Sequence, residues 1–161
     1  MNQIDGGTCA PKGYQAAGVA ARIKGPQSKK PDCALLVSDA PAAVAGTFTT
    51  NVVKAAPVLW CREICDKGRA RAVFVNSGNA NACTGGQGIE DVRETARAVA
   101  AGLHVPEDEV LIASTGVIGV PMPMQRIRQG VEGCVAALSP EGHGDAARAI
   151  MTTDTTPKET A

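Results

Sequence analysis

Residues 71–88, RAVFVNSGNANACTGGQG, set the strongest limit on how this chain can fold. An apolar run, 72–75, stops at Asn76, and Asn and Gly then mix with Ser and Thr as far as Gly88. From Ile89 the pattern changes again. Ile89, Val92, Ala96, Val99 and Leu103 recur at helical spacing, with Glu90, Arg93, Glu94 and Arg97 on the other side. This order predicts a buried strand feeding a tight polar loop that feeds a helix. Asn and Gly accept positive φ at little cost, so the loop can fold sharply and present backbone N–H groups. Such a crossing is a common place for a ligand site.

The rest of the chain alternates in the same way. Residues 18–23 predict a short strand, and the apolar run 33–39, closed by Asp39 and Pro41, predicts a buried one. The Thr-rich segment 44–51 has the composition to extend a sheet. Residues 55–67 predict a helix with Pro57 in its first turn, Val58, Cys61, Ile64 and Cys65 on one face, and Gly68 as its stop. Residues 110–113 predict a second buried strand running into Ser114-Thr115-Gly116. A third amphipathic helix is expected over about 124–138, a turn at 139–144, and a short helix or strand at 146–151. Alternating strands and helices make the fold class α/β, and the length suits a single domain, 1–161, or part of a larger one.

Charge excludes some partners. Lys plus Arg and Asp plus Glu number 16 each, so no net field draws the chain to nucleic acid or an anionic membrane. No apolar run approaches the length of a membrane span and the N-terminus lacks a signal-like apolar core, which makes the cytoplasm the default location. The only aromatics are Tyr14, Phe48, Trp60 and Phe74, so a core must be built from Ala, Val, Ile and Leu; this hints at burial against another chain. Without a secretory signal, the six cysteines are expected to be small buried hydrophobes and not a disulfide framework. Cys61 and Cys65 share a helix face, but His104 and His143 lie far off, so no metal site is expected.

Ser114-Thr115-Gly116 could carry chemistry. Acyl transfer builds negative charge on a carbonyl oxygen, and preorganised N–H and O–H donors stabilise it. A Thr hydroxyl beside a Gly N–H supplies two such donors, and Gly leaves no Cβ to obstruct close approach. The same residues also suit an ordinary strand-end turn. Thr152-Thr153-Asp154-Thr155 is a hydroxyl and carboxylate cluster that, on its residue types alone, suits a helix cap or a solvated tail. Asn76, Asn79 and Asn81 could hydrogen-bond a substrate amide or carboxylate, but they are more readily explained as loop architecture. The glycines 85, 86 and 88 fit neither a phosphate loop nor a dinucleotide fingerprint.

Five segments, in order, resemble the N-terminal part of one enzyme family. These are APKGYQAAGVAARIK, VAGTFTTNVVKAAPV, NSGNANACTGGQG, ASTGVIGVPMPM and IMTTDTTPK, and together they span nearly the whole chain. The family is that of the bifunctional ornithine acetyltransferases, or glutamate N-acetyltransferases, of arginine biosynthesis. They share a layered sheet-and-helix, Ntn-hydrolase-like fold with the DmpA-type aminopeptidases. The resemblance implies transfer of acetyl from N2-acetyl-L-ornithine to L-glutamate through an acetyl-threonine. It implies no resident cofactor, and in many members acetyl-CoA is a further donor. It assigns Thr115 and Gly116 to the oxyanion hole, Thr152 to a substrate contact with Thr153 as the fallback, and 44–51 to the neighbourhood of the substrate pocket. The family's nucleophile is a Thr freed by self-cleavage of the precursor, whose amine then acts as base. No internal Thr here has that context. The expectation is therefore an alpha-chain portion, truncated before the cleavage site and inactive alone, that works with a beta chain from the same precursor in an alpha2-beta2 heterotetramer. An amide hydrolase subunit of the same fold and a non-catalytic scaffold are the alternatives.

Overall fold

The computed structural model describes residues 4–161. Its centre is a four-stranded sheet in the order β1 (Tyr14–Val19), β2 (Cys33–Ala43), β3 (Arg69–Asn79), β4 (Val110–Val117). β1 with β2 and β2 with β3 are antiparallel, whereas β3 and β4 are parallel. A parallel pair needs a long crossover. Helix α2 (Gly85–Leu103) makes it, and α1 (Ala56–Lys67) lies in the connection from β2 to β3. α3 (Met124–Ala136) and α4 (His143–Ala149) follow β4.

Strand alternation divides the apolar residues between two faces. Cys33, Leu35 and Val37 of β2, Ala72 and Phe74 of β3, and Val110 and Ile112 of β4 join Val92, Ala96 and Val99 of α2 and Ile127, Val131 and Cys134 of α3 in the main core. Small residues set the spacing there: a Cβ on Gly130 would run into the Cys33 thiol. On the opposite face α4 covers part of the sheet, through Ala146 and Ala149 against Ala16 and Ala34, with Cys9 packed beside them. The remainder of that face is open. Leu36, Val73 and Leu111, with Tyr14, Ala42 and Ala70, line an apolar hollow of about 320 Å³.

Several boundaries differ from the sequence pattern. The first strand is Tyr14–Val19 and not 18–23, because Asp32 captures the chain beyond it: its carboxylate accepts the N–H groups of Ala21 (2.6 Å) and Lys24 (3.1 Å) and bends 20–25 into a turn. Residues 44–51 form no strand; β2 ends at Ala43. β3 does not stop at Asn76 but runs to Asn79, since its polar side chains find partners within the sheet. α2 begins at Gly85, so the glycines form its first turn and the loop before it is shorter than expected. β4 includes Ser114-Thr115-Gly116, which therefore belong to the strand and not to a turn after it.

Candidate active site

Thr115 and Gly116 sit at the end of edge strand β4, opposite Ser77 and Gly78 of β3. In a parallel ladder a residue's N–H and C=O point to the same side. The Val117 carbonyl accepts the Ala80 N–H (2.9 Å), so odd positions of β4 bond to β3. On the other side, the Val110 carbonyl accepts Trp60 Nε1–H (2.8 Å) and the Ile112 carbonyl accepts the Cys61 thiol (3.1 Å). Even positions therefore face the open edge, and this alternation leaves the Gly116 N–H outside the ladder. Side chains alternate too: Thr115 emerges on the same face as Leu111, the uncovered face of the sheet.

Gly116 is required by packing. Its φ is +134°, and a Cβ there would lie 2.6 Å from Asn79 N and 2.7 Å from Gly78 Cα, closer still to the Gly78 carbonyl carbon. The glycine thus lets β4 approach β3, a packing demand separate from any room it leaves for a ligand. Gly78 repeats the device one layer on. With φ +120°, a Cβ there would lie 2.9 Å from Lys24 N and 3.1 Å from the Ile23 carbonyl carbon. The backbones at 24, 78 and 116 are stacked in direct contact.

A cavity of about 440 Å³ opens beside this stack, lined by Lys24, Gly78, Thr115, Gly116, Val117, Thr152 and Thr153. All three site residues expected from sequence, Thr115, Gly116 and Thr152, meet in it. Thr153 joins them, while Asp154 pairs with Lys158 (2.5 Å), which holds its carboxyl below the usual range. Thr49, Thr50 and Asn51 are not in the lining. Lys24 and Gly78 are additions that sequence reasoning missed. For Gly78 a signal existed, since both apolar strands run into a hydroxyl–glycine pair, Ser77-Gly78 and Thr115-Gly116. Lys24 left none.

The supporting shell is polar and fully committed. Ser114 donates to Asn76 Oδ1 (2.6 Å), and Asn76 Nδ2 donates to the Asn79 carbonyl (2.8 Å). Asn79 Nδ2 reaches the carbonyls of Val120 and Pro121 (3.0 and 3.1 Å), fixing the chain just past Gly116. Ser77 donates to the Ala149 carbonyl (2.5 Å), which ties α4 and the start of the Thr152 segment to β3. Asn81, at φ 46°, donates to the Gly88 carbonyl (2.9 Å). The asparagines serve architecture, Asn76 and Asn79 within β3 and Asn81 in the segment after it.

Cysteines and histidines take no part in the cavity. All six cysteines are free thiols; burial pushes Cys33 up strongly and Cys134 to about 12. His104 is exposed, and His143 pairs with Glu159 (2.6 Å). Among the described residues no cluster of His, Cys, Asp or Glu could hold a metal, and no helix is long and apolar enough to cross a membrane.

The ArgJ family model matches residues 15–161. The chain belongs to the ArgJ family. It is 54% identical over its full length to the arginine biosynthesis bifunctional protein ArgJ of Symbiobacterium thermophilum, and 56% identical over 147 residues to that of Geobacter sulfurreducens. It spans 40% and 37% of the length of these two ArgJ proteins. Among solved structures it resembles the Mycobacterium tuberculosis ornithine acetyltransferase complexed with ornithine. The TM-score is 0.91 at 45% identity, covering 96% of this chain and 84% of that one. The ArgJ protein of Bacillus halodurans gives a TM-score of 0.87 at 35% identity, covering 96% and 81%. The α/β fold is thus that of the ArgJ ornithine acetyltransferases.

Proposed function

We propose that this chain is the N-terminal domain of the alpha chain of an acetyltransferase of arginine biosynthesis. The complete enzyme moves acetyl from N2-acetyl-L-ornithine to L-glutamate by way of an acetyl-threonine, with the cytoplasm as its place of action. Thr115 and Gly116 stabilise the oxyanion: as the attacking threonine adds to the acetyl carbonyl, the Thr115 hydroxyl and the Gly116 N–H donate to the oxygen that gains charge. Thr152 holds the substrate across the cavity. The observation that carries this reading is the convergence of Thr115, Gly116 and Thr152, far apart in sequence, on one cavity.

The attacking hydroxyl comes from the continuation of the precursor, the beta chain, and the pair assembles as an alpha2-beta2 heterotetramer. The uncovered sheet face supports this. It is apolar at Leu36, Val73 and Leu111, and it presents Thr115 on the same side.

Thr115→Ala in the complete protein tests the assignment. Loss of one oxyanion donor lowers kcat on the order of 10²- to 10³-fold, with KM for N-acetylornithine little changed. A raised KM at unchanged kcat would make Thr115 a binding contact and not an oxyanion donor.

A further inference from the structure

The cavity that gathers Thr115, Gly116 and Thr152 has one charged residue in its lining, Lys24. Its place is fixed by backbone contact and not by a flexible surface stem, because Gly78 brings the Lys24 main chain against β3, directly across from Gly116. The side chain is half-buried, and Nζ donates to the Pro31 carbonyl at 2.9 Å. An ammonium carries three donors, so two remain.

The nearest acid does not use them. Asp32 is fully buried, and its two oxygens are taken by the N–H groups of Ala21 and of Lys24 itself. Among the described residues the Lys24 ammonium is in no ion pair, unlike Lys67 with Asp108 or Lys158 with Asp154. Burial holds its pKa below the ordinary value while the Asp32 charge pulls the other way. A partly desolvated cation with spare donors, on a residue that lines the same cavity as Thr115, Gly116 and Thr152, is suited to receive an anion.

We infer that Lys24 is a specificity-determining residue that binds the α-carboxylate of the amino-acid substrate while its acyl group lies against Thr115 and Gly116. In an N-acyl amino acid the carboxylate is only a few bonds from the acyl carbon, so one cavity of this size can hold both. This inference rests on the acyl-transfer reading and adds to it the group that selects amino acids from neutral amides.

The test is a comparison of N-acetyl-L-ornithine with its α-carboxamide on the complete enzyme, wild type, Lys24→Met and Lys24→Arg. A charge-assisted contact of this kind corresponds to about a 10- to 100-fold preference for the acid. Wild type should show it, Lys24→Met should lose it through KM for the acid with kcat nearly unchanged, and Lys24→Arg should recover part of it. The carboxamide is the internal control, since a purely structural lysine would affect both ligands alike. Parallel losses on acid and amide, or an undiminished preference in Lys24→Met, would overturn the assignment. If Lys24→Met does not fold, Lys24→Gln, which keeps a donor for the Pro31 carbonyl, carries the same comparison. Calorimetric binding of the two ligands reads the preference without turnover, so failure of the transfer chemistry and failure of the Lys24 assignment give different results.

Discussion

Gly116→Ala distinguishes a glycine that serves the sheet from one that serves the ligand. The added methyl would lie 2.6 Å from Asn79 N and 2.7 Å from Gly78 Cα, both backbone atoms of a central strand that cannot swing aside. The residue must also keep φ near +134°, which costs an L-amino acid about 1–3 kcal/mol. Forcing a methyl into a close-packed backbone contact adds about 1–3 kcal/mol. The sum, roughly 2–6 kcal/mol, is a large share of the 5–15 kcal/mol that stabilises an ordinary domain. For a domain of this size it lowers Tm by about 5–20 °C. Gly119→Ala is the control, because Gly119 has φ +76° with nothing within 4 Å of a built Cβ and so carries the torsional cost alone. The assay is thermal melting of the complete protein beside steady-state kinetics. A Gly116→Ala protein that melts with wild type yet loses kcat would refute the reasoning, since the methyl would then be pointing into the cavity.

Two further expectations follow from burial. Cys33 and Cys134 both stay protonated in the folded protein at pH values where an unfolded thiol ionises. The native state therefore holds protons that the unfolded chain releases, and their contribution is intact below 9.0 and lost as pH rises toward about 12. Urea midpoints should fall above pH 9.0, and Cys134→Ala should flatten part of that slope; an unaltered slope would show that the thiol is not the source. The isolated chain 1–161, with the sheet face at Leu36, Val73 and Leu111 open, should bind a hydrophobic dye and melt broadly. A sharp cooperative melt without dye binding would mean that this face needs no partner.

Helix α2 is plain in the spacing of Val92, Ala96 and Val99, and these residues do fill the core it faces. α3 and the buried run of β2 are equally legible, because their apolar periods match what they bury; α1 is legible as a helix, but of its expected face Val58, Cys61, Ile64 and Cys65 only Ile64 is buried, beside Ala56 and Pro57. The failures cluster where polar residues are buried. Asn76, Ser77 and Asn79 look like a loop because such residues usually seek water, yet here they complete a central strand by bonding Ser114, Ala149 and the 120–121 backbone. No local pattern could announce those partners, which come from three other parts of the chain. The first strand was displaced for the same reason: Asp32 fixes the turn after it from a different element.

The cavity was half legible on similar grounds. Thr115, Gly116 and Thr152 stand in motifs, and motifs can be matched along a sequence. Lys24 stands in none; it reaches the cavity only because glycines at 78 and 116 allow three stretches of backbone to touch. The same closeness explains why the wall is made of main chain. At a contact this tight a side chain would separate the strands, so the donor left facing the edge is a backbone N–H, and the one hydroxyl beside it belongs to the neighbouring residue whose side chain alternation turns outward. Such a wall of main chain results from strand packing itself, without any loop that has to close.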